Sequence, residues 1–210
     1  IGELYKTLDN EGLLDNTLII FSSDNGPVLN DGYYDDAVEK LGDHTPSGGL
    51  RGGKYSLFEA GTKVPFISYW RGKINPGVSN ELISQVDLLN SISSIIGSEF
   101  KSNDGIDLSD LLLRNKGKGR DNLVVEASTR TAFRKGDWVI IPPYDAPALN
   151  KNVNIELGNS NNFQLYNLED DPSQKNNLAK IEKEKLKEIY NEFLKIRGDN
   201  FSNIESLILE

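Results

Sequence analysis

Thr17-Leu-Ile-Ile-Phe21, followed by Ser22-Ser-Asp24-Asn25-Gly26-Pro27, is the stretch from which the architecture can be read. A short apolar run of this kind forms a strand buried on both faces of a parallel sheet. Asp24-Asn25-Gly26 then falls at its carboxyl end, where open α/β sheets bind ligands. Working outward, Ile1, Leu4 and Leu8 share one face of a helix ahead of the strand, and Val64 to Trp70 forms a second strand after a long polar loop, Ser22 to Gly53. Helix, strand, loop and strand in that order predict an α/β arrangement. Pro76-Gly77 makes a turn, after which Leu82, Val86, Leu89, Ile92 and Ile96 recur at helical spacing until Gly97 stops the helix.

Ser98 to Arg120 is mixed in composition and rich in glycine, and it sets a boundary between residues 1–115, the α/β part, and residues 116–210, a small α+β subdomain. In the second part Leu123 to Glu126, Arg130 to Phe133 and Trp138 to Ile141 read as strands, with Lys135-Gly136-Asp137 as a tight turn. Asp145 to Asn162 reads as an asparagine-rich loop and Phe163 to Leu168 as a further strand. From Ile181 to Ile196 the residues Leu186, Ile189, Tyr190, Phe193 and Leu194 trace one face of an amphipathic helix ended by Arg197-Gly198. A small antiparallel sheet covered by that helix is the economical arrangement.

With 210 residues, 37% of them hydrophobic and 26% charged, the chain can bury a sizeable core. Its formal net charge of −9 argues against nucleic acid or an anionic membrane surface as a partner, because either repels an acidic protein at long range. Locally the balance reverses: between Gly48 and Lys73 stand Arg51, Lys54, Lys63, Arg71 and Lys73 against Glu59 alone, which suits a small anionic ligand. Cysteine is absent, so a disulfide, a thiolate metal site and a cysteine nucleophile are excluded, and methionine is absent too. A chain that opens inside a helix without an initiator methionine is expected to be a piece of a longer protein. No apolar run is long enough to span a bilayer.

Asp24 and Asn25 place a carboxylate and a carboxamide side by side, hard oxygen donors suited to Ca²⁺ or Mg²⁺. Zinc is disfavoured, since His44 is the only histidine and there is no cysteine. Gly48-Gly-Leu-Arg-Gly-Gly53-Lys54 has the spacing of a phosphate-binding loop, but Tyr55 stands where that motif needs Ser or Thr, and no apolar strand leads into Gly48. The glycines still let backbone amides approach an anion closely, and Lys54 adds a point charge. His44 lies in a polar loop, available for substrate contact, and the acidic run Asp31 to Asp43 reads as a solvated face.

Three segments together resemble the type I, formylglycine-dependent sulfatases of the alkaline phosphatase superfamily, with an arylsulfatase-like pattern. Asn16 to Pro27 resembles the family's strand and metal loop, and Leu50 to Phe66 its sulfate-binding lysine segment. Tyr166-Asn-Leu-Glu-Asp-Asp-Pro-Ser-Gln-Lys-Asn-Asn-Leu-Ala179 resembles the signature before its last helix, and Gln85-Val-Asp-Leu-Leu89 fits as well. The fold implied is the C-terminal part of an alkaline-phosphatase-like sulfatase: strands of the large mixed sheet with flanking helices, then a small antiparallel sheet packed with a C-terminal helix. The activity implied is Ca²⁺-dependent hydrolysis of a sulfate ester, with Ca²⁺ preferred over Mg²⁺ and a sulfated small molecule or glycan as substrate. Asp24 and Asn25 would be metal ligands, Lys54 the catalytic residue on the sulfate, and Arg51 and His44 further substrate contacts. The family's C/S-x-P-S-R motif, source of the formylglycine, has no counterpart in this chain, nor do its partner carboxylates and catalytic histidines. The resemblance therefore implies an upstream N-terminal part as partner, no activity from these residues alone, and a periplasmic or secreted location. Two alternatives remain open: a phosphonate or phosphate monoester hydrolase of the same superfamily, and a non-catalytic module that binds an anionic glycan.

Overall fold

The computed structural model of the chain describes residues 1–197. They form two compact units interleaved in sequence: Ile1–Asp24 with Val64–Leu123, and Asn25–Lys63 with Val124 onward. In the first unit α1 (Gly2–Asn10) and a 3₁₀ turn (Leu14–Asn16) lead into β1 (Ile19–Phe21), and β2 (Ile67–Tyr69) is followed by α2 (Asp87–Ile95) and α3 (Ser109–Arg114).

β1 differs from the doubly buried parallel strand expected of it. Among the described residues it pairs only with β2, antiparallel, in the register Ile19↔Tyr69, Ile20↔Ser68 and Phe21↔Ile67. A ribbon of this size cannot cover its own faces. Ile19 and Ile20 are half-buried, and Phe21 and Ile67 are exposed.

α2 begins at Asp87, so Leu82 and Val86 precede it, and it ends where expected: Gly97 takes φ +71° and donates its amide to the Ser94 carbonyl. Its orientation reverses the usual amphipathic arrangement. Asp87, Asn90, Ser91 and Ser93 are buried, while Val86, Leu89 and Ile96 are 50%, 51% and 71% exposed. The polar side is closed by partners from the segments before and after the helix. Asp87, 2% exposed, accepts from the amides of Ser84 and Ile106 and from Arg120 Nε at 2.8 and 2.9 Å. Asn90 accepts from the Ser102 amide and donates to the Gly105 carbonyl, and Ser91 Oγ accepts from the Leu108 amide. Asp87, Asn90 and Ser91 thus have partners that offset their desolvation.

The second unit is built on a four-stranded sheet in the order β3-β4-β5-β8, from β3 (Asn122–Ala127), β4 (Arg130–Lys135), β5 (Trp138–Ile141) and β8 (Gln164–Asn167). A two-residue turn at Gly136-Asp137, with Gly136 at φ +56°, joins β4 to β5 and sets the register Lys135↔Trp138. Within the segment expected to be loop, β6 (Leu149–Asn150) pairs with β7 (Ile155–Glu156). α4 (Lys183–Arg197) follows; the expected stop at Gly198 lies outside the described residues.

Alternation along the strands sorts the core onto the two faces of this sheet. Phe133, Ile140 and Leu165 face Ala179, Ile189 and Phe193, so α4 covers one side. Ala132, Val139, Ile141 and Tyr166 face the other way and pack against Leu57 and Phe58, which come from the segment just after Lys54. The Lys54 loop is therefore anchored on the sheet face opposite α4. Among the described residues no helix is long and apolar enough to cross a membrane.

Candidate active site

Asp24 ends the first segment of one unit and Asn25 begins the first segment of the other, and the two expected metal ligands are joined by one peptide bond. Asp24 is exposed, at the end of a segment held by Gln85, whose amide donates to the Ser23 carbonyl and, at 3.3 Å, to Ser22 Oγ. Asn25 is half-buried and turns its Nδ2 to the Gly26 carbonyl at 2.9 Å, which directs Oδ1, the ligand-type atom, to the other side of the amide.

Backbone contacts bring Asn25 and Lys54 onto neighbouring segments. Gly26 donates to the Gly61 carbonyl at 2.8 Å, and the Lys54 amide donates to the Pro27 carbonyl at 3.0 Å. The approach is close enough to require glycine. A Cβ on Gly26 would lie 1.6 Å from the Ala60 carbonyl oxygen, and one on Gly53 would lie 2.6 Å from that of Pro27. Lys54 is half-buried, its Nζ 5.5 Å from the Tyr55 ring centroid, and among the described residues no carboxylate pairs with it. Tyr55 takes φ +75°, a strained conformation for a residue with a Cβ, immediately beside the lysine.

Arg51, expected at the substrate, is engaged elsewhere. Its Nε and Nη2 donate to the two Glu156 oxygens at 2.6 and 3.1 Å, and its Nη1 donates to the Gln174 carbonyl at 2.8 Å. The guanidinium carbon also lies 4.0 Å from the centroid of the Phe58 ring. Hydrogen bonding to Glu156 raises the Arg51 pKa, and the same pair holds the Glu156 carboxyl below its usual range. Burial pushes the Tyr166 phenol up. His44 is exposed, and among the described residues no hydrogen bond or ion pair links its ring to Asn25, Arg51 or Lys54.

Asp24 and Asn25 have the donor chemistry of a hard cation, but no group of three or more Asp, Glu or His residues that could hold a metal ion exists among the described residues. A Ca²⁺ takes about six to eight oxygens, so these two residues fit it as part of a shell. Residues that sequence inspection missed are Gln174, Glu156 and the close-approach glycines. Gln174 lies in the 166–179 signature, Gly53 in the glycine-rich run and Gly26 beside Asp24-Asn25, whereas Glu156, in a segment read as loop, carried no sequence signal.

Comparison with known proteins finds similar sequences and folds. Residues 1–98 match the family model described as Sulfatase. An N-acetylgalactosamine-6-O-sulfatase of Bacteroides thetaiotaomicron is 44% identical over 193 residues, covering 90% of this chain and 38% of that protein. Human arylsulfatase A is 36% identical over 125 residues, covering 59% of this chain and 23% of its own length. A solved structure from work on the metabolism of multiple glycosaminoglycans by Bacteroides thetaiotaomicron matches with a TM-score of 0.87 at 41% identity, over 93% of this chain and 42% of that one. The chain belongs to the sulfatase family and has the fold of the C-terminal portion of a sulfatase. It spans about two fifths of the length of the first of these relatives.

Proposed function

We propose that this chain contributes Asp24, Asn25 and Lys54 to the active site of a sulfuric ester hydrolase, within a longer protein that acts on a sulfated sugar. The observation that carries this is the pair of hydrogen bonds, Gly26 to Gly61 and Lys54 to Pro27, that lays the Asn25 segment beside the Lys54 segment. Asp24 and Asn25 would hold a Ca²⁺, which when bound supplies Lewis-acid polarisation of the sulfate oxygens. Lys54 presents a compact ammonium with no competing carboxylate among the described residues. As the ester S–O bond breaks, negative charge gathers on the sugar oxygen, and Nζ interacts more strongly with that charge than with the intact ester. The formylglycine nucleophile and the remaining metal ligands belong to the rest of the protein. An O-sulfated amino sugar is the favoured substrate, because the relative matched over 90% of the chain is an N-acetylgalactosamine-6-O-sulfatase.

The apolar surface of the first unit supports a partner within the same protein. Phe21 and Ile67 on the ribbon, and Val86, Leu89 and Ile96 at α2, present uncovered hydrocarbon. Strands and side chains from the remainder of the sulfatase would cover it.

Release of inorganic sulfate from N-acetylgalactosamine 6-sulfate by the full-length protein is the test. Lys54→Ala should lower kcat by about 10²- to 10³-fold, the range for losing one preorganised charge-stabilising donor. Chelation should abolish turnover and Ca²⁺ restore it, while the 210-residue chain alone releases none. Cleavage of a phosphonate or phosphate ester without sulfate release would favour the related hydrolase. Binding of the sulfated glycan without turnover would favour a binding module.

A further inference from the structure

We infer that Gln174 is a positioning residue for Lys54, acting through a clamp that fixes the glycine-rich loop from the sheet side; this rests on the role proposed above for Lys54. The loop cannot define its own shape. Gly52 and Gly53 precede Lys54, Gly52 takes φ +88°, and Tyr55 is held at φ +75°. Such a backbone persists only where its surroundings over-determine it.

The surroundings come from residues more than a hundred positions away. Gln174 is 0% exposed and sits at φ +50°. Its Oε1 accepts from the Glu59 amide at 2.7 Å, and its carbonyl accepts from Arg51 Nη1. Arg51 is held in turn by both Glu156 oxygens and by the face of Phe58, whose ring meets Tyr166 edge-on at 6.1 Å. The Arg51 carbonyl accepts the Ala60 amide at 3.0 Å, the Leu57 amide donates to the Leu157 carbonyl at 3.0 Å, and Ser173 Oγ donates to the Gly49 carbonyl at 3.2 Å. Apart from the Arg51–Ala60 and Arg51–Phe58 contacts, which lie within the loop, these contacts join residues 49–59 on one side to residues 156–174 on the other.

Gln174 is the one member that grips both ends of the loop, Arg51 before Lys54 and Glu59 after it. Its Nε2 is buried without a partner among the described residues, so the acceptor alone gives the side chain its function. The signature at 166–179 thus acts on the site without touching substrate.

The test uses the full-length protein, with Gln174→Met, which keeps the shape and removes the acceptor, and Gln174→Glu, which keeps an acceptor. Two quantities are read at a temperature where all forms are folded: kcat and KM for sulfate release, and hydrogen exchange of the 51–61 amides. We expect Gln174→Met to lower kcat about tenfold or more with KM within about threefold, since small misplacements of a reacting group carry effects of this order. Faster exchange at Glu59 and Ala60 should accompany the loss, and Gln174→Glu should restore both. Wild-type kcat and exchange in Gln174→Met, or equal impairment in both variants, would overturn the inference. If the wild-type protein releases no sulfate, the sulfatase reading fails by itself, and the exchange arm still decides whether Gln174 clamps the loop.

Discussion

Sheet β3-β4-β5-β8 has both faces covered within its own unit, by α4 on one side and by Leu57 and Phe58 on the other, and Phe133, Ile140, Leu165 and Phe193 are fully buried. The other unit leaves Ile67, Val86, Leu89 and Ile96 exposed and turns Asp87, Asn90 and Ser91 inward. Hydrocarbon burial, about 1.5–3 kcal/mol for each large apolar side chain, therefore organises the second unit. The first unit buries Leu14, Leu108, Leu111 and Leu112 and adds directional polar contacts: Asp87 with Arg120, Trp70 Nε1 with the Asp15 carbonyl, and Arg71 with Asp9 and Tyr5. One unit covers both faces of its own sheet, and the other leaves large apolar side chains exposed.

Trp138 and Trp70 report separately on the two units, which makes the contrast measurable. Phe193→Ala should destabilise the second unit by about 3–5 kcal/mol, seen as an earlier urea transition in Trp138 fluorescence. An equal shift in the Trp70 signal would break the comparison. Asp87→Ala should act on the first unit by about 3–5 kcal/mol, because it strands the Arg120 guanidinium in a largely buried site. Asp87→Ala combined with Arg120→Leu should recover part of that loss in the Trp70 transition. Leu89→Ala sharpens the contrast: in the 210-residue chain it should change stability by less than about 0.5 kcal/mol. In the full-length protein, with that surface covered, the same substitution should destabilise by about 2 kcal/mol or more.

The smallest effect concerns acid. Arg51 holds the Glu156 carboxyl below its ordinary value of 4.5, so the ion is favoured in the folded state. The pair's contribution is then fully present above that ordinary value and is lost as pH falls through the lowered one. Hydrogen exchange or limited proteolysis of residues 48–61 should show the loop loosening below about pH 4.5, with Glu156→Gln removing the pH dependence. Unchanged exchange down to pH 3 would show that Arg51 is held without Glu156.

What sequence inspection recovered follows from local pattern. The β4–β5 hairpin was legible because strand-forming runs, Arg130 to Phe133 and Trp138 to Ile141, flank the Lys135-Gly136-Asp137 turn, and α4 because Leu186, Ile189, Tyr190 and Phe193 keep a helical period. The periodicity of α2 located the helix but misled about its inside, since Arg120, Ser102 and Gly105 supply the partners that let the polar side be buried. β6 and β7 escaped notice because each has two residues and carries no alternation. Among the described residues β1 has only an antiparallel partner, because an apolar run shows that a strand wants cover, not which strands provide it. At the site, Asp24, Asn25 and Lys54 stood out by residue type. The backbone proximity of Asn25 and Lys54 depends on Gly26 and Gly53 meeting Ala60 and Pro27, and the engagement of Arg51 depends on Glu156 and Gln174. Tertiary contacts of that range leave no mark on local sequence.

The clamp also bears on how such chains can be recombined. Arg51 and Gln174 are separated by 123 positions yet share a hydrogen bond, and Glu59 and Gln174 by 115. A crossover between two sulfatases placed anywhere from 61 to 155 would join a loop from one parent to a grip from the other. Chimeras that keep 49–60 and 156–177 from the same parent should outlast those that divide them, however similar the parents are elsewhere.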